Sequence, residues 1–410
     1  MNNISQTIQS IKAAVAEAQA SSGVAIHKVT VGIAGKHIRS LQHSDYIMRD
    51  NPDQYITEDD IEKLKDQVKK LVMLPGEEII HVLPQEYKVD SEGEIQEPIG
   101  MHGKRLEANF HVVVGQMGSI RNIARCVREA GLEMESLTLE PLASSESVLT
   151  KEEKEAGVAI VDIGGGTTDI AIFKDNIIRH TCVIPYGGGI ITDDIKEGCS
   201  IIEKHAEQLK VKFGSAMPEM EKDSTFVTIP GLHGRPDKEI SLKTLAHVVN
   251  ARVEEILEMV NTELKAYGAF EQKKKLIAGI VLTGGGSNLK NLRQLANYTT
   301  GFDSRIGFSN EYVANDKNQF LKGPEYATSI GLLMESLKIR DKKHSPEQPK
   351  PEEVVNEVPA KEETSAQVTE TPEFRTEEQV IAESGEKRRN KLTIGQKIME
   401  SVKKFFEEVE

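Results

Sequence analysis

The stretch VDIGGGTTDIAIF, from Val161 to Phe173, constrains the fold of this chain more than any other segment. Its apolar runs predict two buried strands, with Gly164, Gly165 and Gly166 between them. An ordinary two-residue hairpin turn needs at most two glycines. Three glycines followed by hydroxyl side chains indicate that another group approaches the backbone closely. We therefore expect a ligand at this turn.

Composition limits the function classes that fit. A chain of 410 residues can hold two or more domains, and its net charge of −14 argues against a nucleic-acid partner. Cys126, Cys182 and Cys199 form no metal-ligand spacing and no even disulfide set, which is typical of a reducing cytoplasm. No apolar run approaches the roughly 20 residues of a membrane span, and the N-terminus lacks the pattern of a signal peptide. We expect a soluble, intracellular protein.

Helical and strand patterns alternate along the chain. Residues 1–20 and 57–72 have apolar positions at helical spacing, and Thr57 and Asp60 have the spacing of a capping box. After the glycine turn, a further strand precedes a helix that is predicted to run through 193–214. A second strand, glycine loop and helix follow in 276–296. This alternation predicts an α/β fold with largely buried sheets.

The glycine turn has the chemistry of a phosphate site. Its N–H groups can point at an anion, and Thr167 and Thr168 add hydroxyls. Asp162 and Asp169 lie at the two strand ends, where they can hold a hydrated Mg²⁺ or orient a water. A purely structural glycine turn is the alternative. The second loop runs from Thr283 to Ser287, and the N-terminus of the helix after it would also favour phosphate. Its candidate contacts are Gly284, Gly285, Gly286 and Ser287.

The two loops, in this order and separation, resemble those of the actin-like ATPase superfamily, which includes actin, Hsp70 and sugar kinases. The resemblance implies a two-domain, ribonuclease H-like fold that binds ATP with Mg²⁺. VDIGGGTTD corresponds to the second phosphate loop and GIVLTGGGSNL to the adenosine loop, while IPYGGGIITDDI and YATSIGLL resemble the two connecting helices. It also implies that Glu207 and Lys210 contact ribose and adenine, and that Glu140, with Asp162, acts in catalysis by positioning water. Without this resemblance, Glu140, Glu207 and Lys210 fit solvated helix ends equally well.

Within the superfamily, one branch is similar over most of the chain. GIAGKHIRS, HVLPQEYKVD, PIGMHGKRLEAN, ASSESVLT and GLHGRP resemble segments of the bacterial cell-division protein FtsA. The resemblance implies a subdomain, 1C, that replaces a small actin subdomain. The resemblance also implies the domain boundaries. Subdomain 1A would comprise part of its usual length at 1–26 together with 138–156, and subdomain 1C would lie between them at 27–137. Subdomain 2A would comprise 157–206 and 271–325, with 2B inserted at 207–270, and the core would end at 326–340.

The FtsA resemblance implies an adaptor at the division site on the cytoplasmic face of the membrane. Such an adaptor self-associates into actin-like protofilaments, contacts other divisome membrane proteins and binds the C-terminal tail of FtsZ. The tail is expected on subdomain 2B, at a basic face formed by Arg235, Lys238, Lys243 and Arg252. For any one of these residues, an ordinary solvated helix face is equally compatible with the sequence.

One departure from the family concerns the first phosphate loop. In the family a DxGT hairpin lies about 50 residues upstream of what is residue 1 here, and no such motif precedes Val161. Translation from an internal Met and a truncated variant are both compatible with this. We expect the chain as written to bind ATP weakly or not at all, with weak or no ATPase activity, and a chain extended upstream to bind it.

The composition changes at about residue 341. Residues 341–389 are rich in Pro, Glu, Thr and Ser and predict a disordered acidic linker. Residues 390–410 predict an amphipathic helix for anionic membrane lipids. Its apolar side chains include Ile394, Ile398, Val402, Phe405 and Phe406, and its basic ones include Lys397, Lys403 and Lys404. A core helix and a partner-binding helix are the alternatives.

Two other functions fit the superfamily. A metabolite kinase should carry a substrate-binding insert with a catalytic Asp, which we do not identify in the sequence. A chaperone-type ATPase should carry a β-rich peptide-binding domain after residue 340, where the linker is predicted instead. The membrane-tethering adaptor is therefore the leading hypothesis.

Overall fold

A computed structural model describes residues 3–231, 236–309, 321 and 323–344. Arg235, the linker beyond residue 344 and the predicted membrane helix at 390–410 lie outside the described residues. Within the described part, no helix is both long and apolar enough to span a membrane.

Helices and strands alternate as the sequence predicts. The helices are α1 Ile4–Ser22, α2 Glu58–Lys69, α3 Met117–Glu129, α4 Glu140–Val148, α5 Lys151–Ala156, α6 Gly188–Gly198, α7 Glu203–Phe213, α8 Leu242–Tyr267, α9 Leu292–Thr300 and α10 Ala327–His344. The strands are β1 Lys28–Ile33, β2 Ile38–Met48, β3 Glu77–Val89, β4 Glu92–Ile95, β5 Arg105–Gln116, β6 Glu133–Leu139, β7 Val158–Ile163, β8 Thr168–Lys174, β9 Ile177–Ile184, β10 Phe226–Ile229, β11 Lys238–Ser241, β12 Ile280–Thr283 and β13 Ser304–Ile306.

A five-stranded sheet of order β13-β12-β7-β8-β9 carries the glycine turn. Its central strand, β7, runs parallel to β12 and antiparallel to β8. Every residue of β7 and β12 is buried, because apolar side chains cover both faces of the sheet. One face packs on α6, α8 and α9, and the other packs near α4 and α10. The predicted strand, glycine turn and strand are confirmed.

A four-stranded antiparallel sheet of order β2-β5-β3-β4 forms a separate layer. α2 covers it with Leu64 and Val68, which pack in one core with Phe110 of β5. The predicted capping box of Thr57 and Asp60 is present at the start of α2. The predicted subdomain range 27–137 is wider than this sheet, because it also contains β1, α3 and most of β6. β1 pairs in parallel with β6 outside the sheet.

The helix predicted through 193–214 is wrong as a single element. α6 ends at Gly198 and α7 begins at Glu203. Ser200 has φ 48°, and the N–H groups of Ser200 and Ile201 bond back to carbonyls of the last turn of α6. This bonding closes the helix and reverses the chain. The predicted linker boundary at 341 also shifts, since α10 continues to His344.

α4 and α10 cross at very short range. A Cβ added to Gly331 of α10 would lie 1.8 Å from the carbonyl oxygen of Ala143 in α4. Both residues are buried, and the contacted atoms are backbone, so neither helix can yield locally. Gly331 therefore fixes the separation of the two helices.

We expect Gly331→Ala to destabilise the fold, because the added methyl forces the two helices apart. Overpacking of this kind costs about 1–3 kcal/mol of unfolding free energy. The matched control is Gly118→Ala in α3, where an added Cβ meets nothing within 4 Å. That change should be neutral or stabilise by up to about 1 kcal/mol, since alanine favours helix. Urea denaturation measures both. Equal stability of the two variants would contradict a fixed crossing.

Candidate functional site

The two glycine loops meet at one edge of the five-stranded sheet. β7 and β12 are parallel neighbours, with Asp162 opposite Thr283, so both loops leave the sheet at the carboxyl ends of adjacent strands. Ligands of open α/β sheets bind at such ends. The topology therefore brings together two segments that are far apart in the sequence.

A cavity of about 280 Å³ lies between these loops and the helices α6 and α7. Its lining residues are Gly164, Gly165, Gly188, Ile191, Glu207, Lys210, Val211, Gly285, Gly286, Asn288, Leu289 and Glu325. Six of them are residues that the sequence predicts as nucleotide contacts: Gly164, Gly165, Glu207, Lys210, Gly285 and Gly286. Of the others, Gly188 and Ile191 lie in the quoted IPYGGGIITDDI motif, and Asn288 and Leu289 lie in the quoted GIVLTGGGSNL motif. Val211 adjoins the predicted contact Lys210, whereas Glu325 carries no local signal.

The first loop exposes its backbone to this space. A Cβ added at Gly165 or Gly166 would meet nothing within 4 Å. Gly164 and Gly165 also receive hydrogen bonds on their carbonyl oxygens from the N–H groups of Gly188 and Gly189, at 2.8 and 2.7 Å. The turn is therefore held by the start of α6 while one side stays open.

The second loop is shaped by close contact with the first strand. Gly284 has φ 82°, and a Cβ there would lie 2.3 Å from Asp162 Oδ1. A Cβ at Gly286 would lie 2.4 Å from Ile163 Cγ2. Gly285–Asn288 form a 3₁₀ turn, and α9 begins only at Leu292. The loop therefore lies between a strand and a helix as predicted, with the 3₁₀ turn between Gly284 and α9.

The predicted hydroxyl groups are engaged inside the protein. Thr167 Oγ1 donates to Asp169 Oδ2 at 2.8 Å, and Thr168 Oγ1 donates to the Tyr186 carbonyl at 2.8 Å. Ser287 Oγ donates to the Thr283 carbonyl at 2.6 Å. The structure thus uses these three hydroxyls to shape the loops.

Glu207 and Lys210 lie on the wall formed by α7. Lys210 Nζ donates to the Gly188 carbonyl at 2.8 Å and to Thr192 Oγ1 at 2.7 Å, and it lies 2.8 Å from Glu207 Oε2. Burial opposes ionisation of Glu207, but hydrogen bonds from Lys210 and Thr192 outweigh it and lower its pKa. The pair therefore stays charged and links α7 to α6.

Asp162 and Asp169 lie opposite each other on β7 and β8. Asp162 Oδ2 accepts hydrogen bonds from Ser144 Oγ at 2.6 Å and Thr328 Oγ1 at 3.1 Å. These donors come from α4 and α10, whose close crossing sets their positions. Sequence reasoning missed both, although they lie in the quoted segments ASSESVLT and YATSIGLL. Glu140 begins α4 near the same carboxylates.

Burial raises the pKa of all three acids. For Asp162, burial outweighs the hydrogen bonds from Ser144 and Thr328. Burial raises the pKa of Asp169 to about 7, against the hydrogen bond from Thr167 and with the charges of Glu140 and Asp162. Glu140 is shifted upward by burial and by Asp162. Asp169 Oδ1 is buried without a hydrogen-bond partner among the described residues.

The described basic residues predicted to meet the FtsZ tail each have a partner within the chain. Lys243 pairs with Asp223 at 2.6 Å, and Arg252 pairs with Asp194 at 2.6 Å. Lys238 donates to the carbonyl oxygen of Cys199. Each of these cations therefore has a partner within the chain, and Arg235 lies outside the described residues.

The chain is similar to known cell-division proteins. A family model described as "Cell division protein FtsA" matches residues 159–331, and one described as "SHS2 domain inserted in FTSA" matches residues 35–114. Cell division protein FtsA of Pseudomonas aeruginosa is 40% identical over 336 residues, covering 82% of this chain and 79% of that protein. FtsA of Neisseria meningitidis serogroup B is 35% identical over 347 residues, covering 85% and 82%.

A solved structure has the same fold. The chain matches the "PilM-PilN type IV pilus biogenesis complex" with a TM-score of 0.57 and 17% identity, covering 81% of this chain and 85% of that chain. At this identity the likeness concerns the fold alone. It confirms the predicted α/β class, and the relatives confirm the predicted resemblance. The chain belongs to the FtsA family of cell division proteins.

Proposed function

We propose that this chain is an actin-like adaptor of the division machinery that binds ATP with Mg²⁺ and tethers FtsZ to the cytoplasmic face of the membrane. The observation that carries the nucleotide part is the cavity between the two glycine loops, beside the buried carboxylates Asp162 and Asp169 and the partly buried Glu140. Membership of the FtsA family and the amphipathic pattern of 390–410 support the tether.

The two glycine loops suit the phosphates. Gly164 to Gly166 on one side and Gly284 to Gly286 on the other bring backbone to the cavity without side chains, and backbone N–H groups bind phosphate oxygens. Thr167, Thr168 and Ser287 act by holding the loops in shape. These features support a phosphate site in which backbone N–H groups, rather than side chains, bind the phosphate oxygens.

The α7 wall suits the nucleoside. The half-exposed Glu207 carboxylate can accept hydrogen bonds from ribose hydroxyls, as acidic residues do in dinucleotide sites. Ile191, Val211 and Leu289 add apolar surface for a base. Lys210 keeps Glu207 oriented through their ion pair.

The carboxylates suit Mg²⁺. Asp162 and Asp169 supply oxygen donors, which this cation prefers. The buried Asp169 Oδ1, which has no partner in the described part of the chain, and the three raised pKa values fit a cluster that binds a cation. Mg²⁺, when bound, neutralises charge on the phosphates and on these acids. Glu140, whose pKa is raised, can then accept a proton from a water near the cavity.

The FtsZ tail is proposed to dock on 207–270. Lys238, Lys243 and Arg252 lie in this range, and Arg235 is included from the sequence alone. Because Lys243 and Arg252 are already paired with Asp223 and Asp194, an acidic tail must compete with or extend these pairs. Binding there should therefore rest on apolar contacts as well as on charge.

Self-association and membrane binding complete the proposal. Actin-like protofilaments of this chain would present many copies of 390–410 to the membrane. Several weak membrane anchors that are linked in one filament bind the membrane far more tightly than a single anchor does. The basic residues of that segment can meet anionic lipids, at about 1 kcal/mol for each Lys or Arg near the surface. Other divisome membrane proteins are further proposed partners.

We expect Gly165→Val to weaken nucleotide binding at least tenfold, because its side chain would enter the open side of the loop. Titration of a fluorescent ATP analogue with Mg²⁺ measures this, in the chain as given and in a longer chain with an upstream DxGT hairpin. Gly93→Val is the control, since Gly93 also has open space but lies in β4, away from the cavity. Equal affinity of wild type and Gly165→Val would exclude this phosphate site.

Asp169→Asn should stabilise the metal-free protein at alkaline pH. The pKa of Asp169 rises from 3.8 to about 7 on folding, so the folded state binds more protons between these values. Wild-type stability therefore falls as pH rises through this window, by up to about 4 kcal/mol. The variant lacks this loss, so its advantage should grow from pH 5 to pH 8.

Thermal denaturation in EDTA measures that advantage. Asp193→Asn, at an exposed acid of α6, is the control and should show no such trend. Excess Mg²⁺ should raise the stability of the wild type at pH 8 more than that of Asp169→Asn. A variant less stable than wild type at pH 8 in EDTA would contradict the buried-charge argument.

Val402→Asp with Phe405→Asp should release the full chain from anionic vesicles, because two charges enter the apolar arc of the helix. Each large apolar side chain contributes roughly 1–2 kcal/mol when it leaves water. Asn390→Asp with Gln396→Asp is charge-matched and leaves the arc intact, so that variant should still co-sediment. Equal co-sedimentation of both variants would indicate that the helix serves a protein partner.

A further inference from the structure

A second cluster of donor atoms lies at the far edge of the five-stranded sheet. His180 and Cys182 are two residues apart on the edge strand β9, so their side chains leave the same face of the strand. That face meets α8, which contributes Glu263. One donor atom from each side chain lies within 4.8 Å of the others. His180 Nε2 and Glu263 Oε2 are 3.2 Å apart.

We propose that His180, Cys182 and Glu263 form a transition-metal site of the zinc class, with water as the fourth ligand. Imidazole, thiolate and carboxylate are the donors that select Zn²⁺ over Mg²⁺ or Ca²⁺. Three protein ligands with one open position is a recurrent zinc arrangement. The two rigid elements that carry the ligands, a strand and a helix, hold them in place.

The distances suit such a site after a small contraction. Zinc bonds of about 2.0–2.3 Å in a tetrahedron place donor atoms roughly 3.3–3.8 Å apart. The 3.2 Å between His180 and Glu263 already matches this spacing, and the other separations, all within 4.8 Å, must close by at most about 1 Å. The His180 and Glu263 side chains are 29% and 31% exposed, so a metal ion can reach them from solvent.

Metal binding here exchanges protons for metal bonds. Burial and the Glu263 carboxylate raise the pKa of Cys182 to about 12, so the sulfur is a thiol in the metal-free protein. When M²⁺ binds, bonds form to Sγ, to Nε2 and to a carboxylate oxygen, and the S–H bond breaks. The thiol proton goes to solvent, and the ring proton of His180, which lies on Nε2 while Nε2 donates to Glu263, moves to Nδ1 so that Nε2 can bind the metal. One proton is therefore released per metal ion.

Lysine and arginine side chains lie near the proposed metal site, and their positive charge lowers its affinity for a metal ion. A cavity beside His180 is also lined by Lys174, Arg179, Lys273 and Lys274. Arg179 is paired with Glu86 and Asp175, and Lys174 donates to the Lys275 carbonyl. The thiolate and Glu263 together supply two negative charges, which match a divalent ion.

The site would clamp β9 between two layers. Thr181 lies between the two ligands in sequence and faces the opposite side, where its Oγ1 meets His111 Nε2 of β5 at 2.9 Å. β9 therefore contacts the four-stranded sheet on one side, and the metal would join its other side to α8. This predicts a rise in thermal stability when metal binds.

The test uses the full chain without an affinity tag, reduced and freed of metal by EDTA followed by dialysis. Co²⁺ is the spectroscopic probe, because a thiolate ligand gives a near-ultraviolet charge-transfer band. We expect one Co²⁺ per chain with that band, its displacement by Zn²⁺, and release of one proton per metal ion in weak buffer. Zinc should also raise the melting temperature.

Variants locate the site. Cys182→Ser should lose the charge-transfer band and bind Zn²⁺ at least tenfold more weakly, and Glu263→Gln, which keeps the side-chain volume, should also weaken binding. Cys199→Ser, at a buried cysteine after α6, is the matched control and should keep the band. Circular dichroism checks folding of each variant. No band in the wild type, or a band that persists in Cys182→Ser, would overturn the proposal. Zinc binding that is unaffected by both Cys182→Ser and Glu263→Gln would do the same.

Discussion

The burial of two facing carboxylates, Asp162 and Asp169, is the constraint on which the rest of the site depends. Removing a charge from water is costly unless hydrogen bonds or a counter-ion compensate it. Ser144 and Thr328 supply two of these bonds, and they can do so only because α4 and α10 cross closely at Gly331. A helix crossing, which looks like ordinary core packing, thus determines the polarity of the site. Among the residues that the structure describes, none compensates the Oδ1 atom of Asp169 with a hydrogen bond.

Local chemistry made much of the fold predictable. The glycine turn, the capping box of Thr57 and Asp60 and the strands on either side of the turn follow from residues that are close in sequence. The break at Ser200 was missed because a left-handed residue and two back-bonded N–H groups end α6 without a glycine at that position. The 3₁₀ turn after Gly284 was missed because its shape depends on a contact that is distant in sequence. Gly284 lies too close to Asp162 for any side chain to fit between them.

Charged residues illustrate what a sequence cannot provide. Lys243 and Arg252 look like a basic face when read along the chain, yet each lies against an acid from another element. Lys210 is different, since its partner Glu207 is three residues away on the same helix. The sign of a charge is local information, whereas its availability depends on long-range packing. The same reasoning explains why the cysteines form no metal-ligand spacing in the sequence: Glu263, the third residue of the proposed site with His180 and Cys182, lies on a distant helix.

β9 links the candidate site to the four-stranded sheet through direct contacts. Its neighbour β8 begins with Thr168 and Asp169, which pair with Ile184 and Val183 of β9. Further along β9, Thr181 meets His111, whose pKa is lowered to about 4 by burial and by His180, so the imidazole is neutral at physiological pH. Gln85 adds a bond from β3 to the Ile178 carbonyl at 2.5 Å. Asp169 is therefore joined to the four-stranded sheet by a continuous set of backbone and buried side-chain hydrogen bonds through β9. Close-packed contacts of this kind hold the position of Asp169 from outside the loop as well as within it.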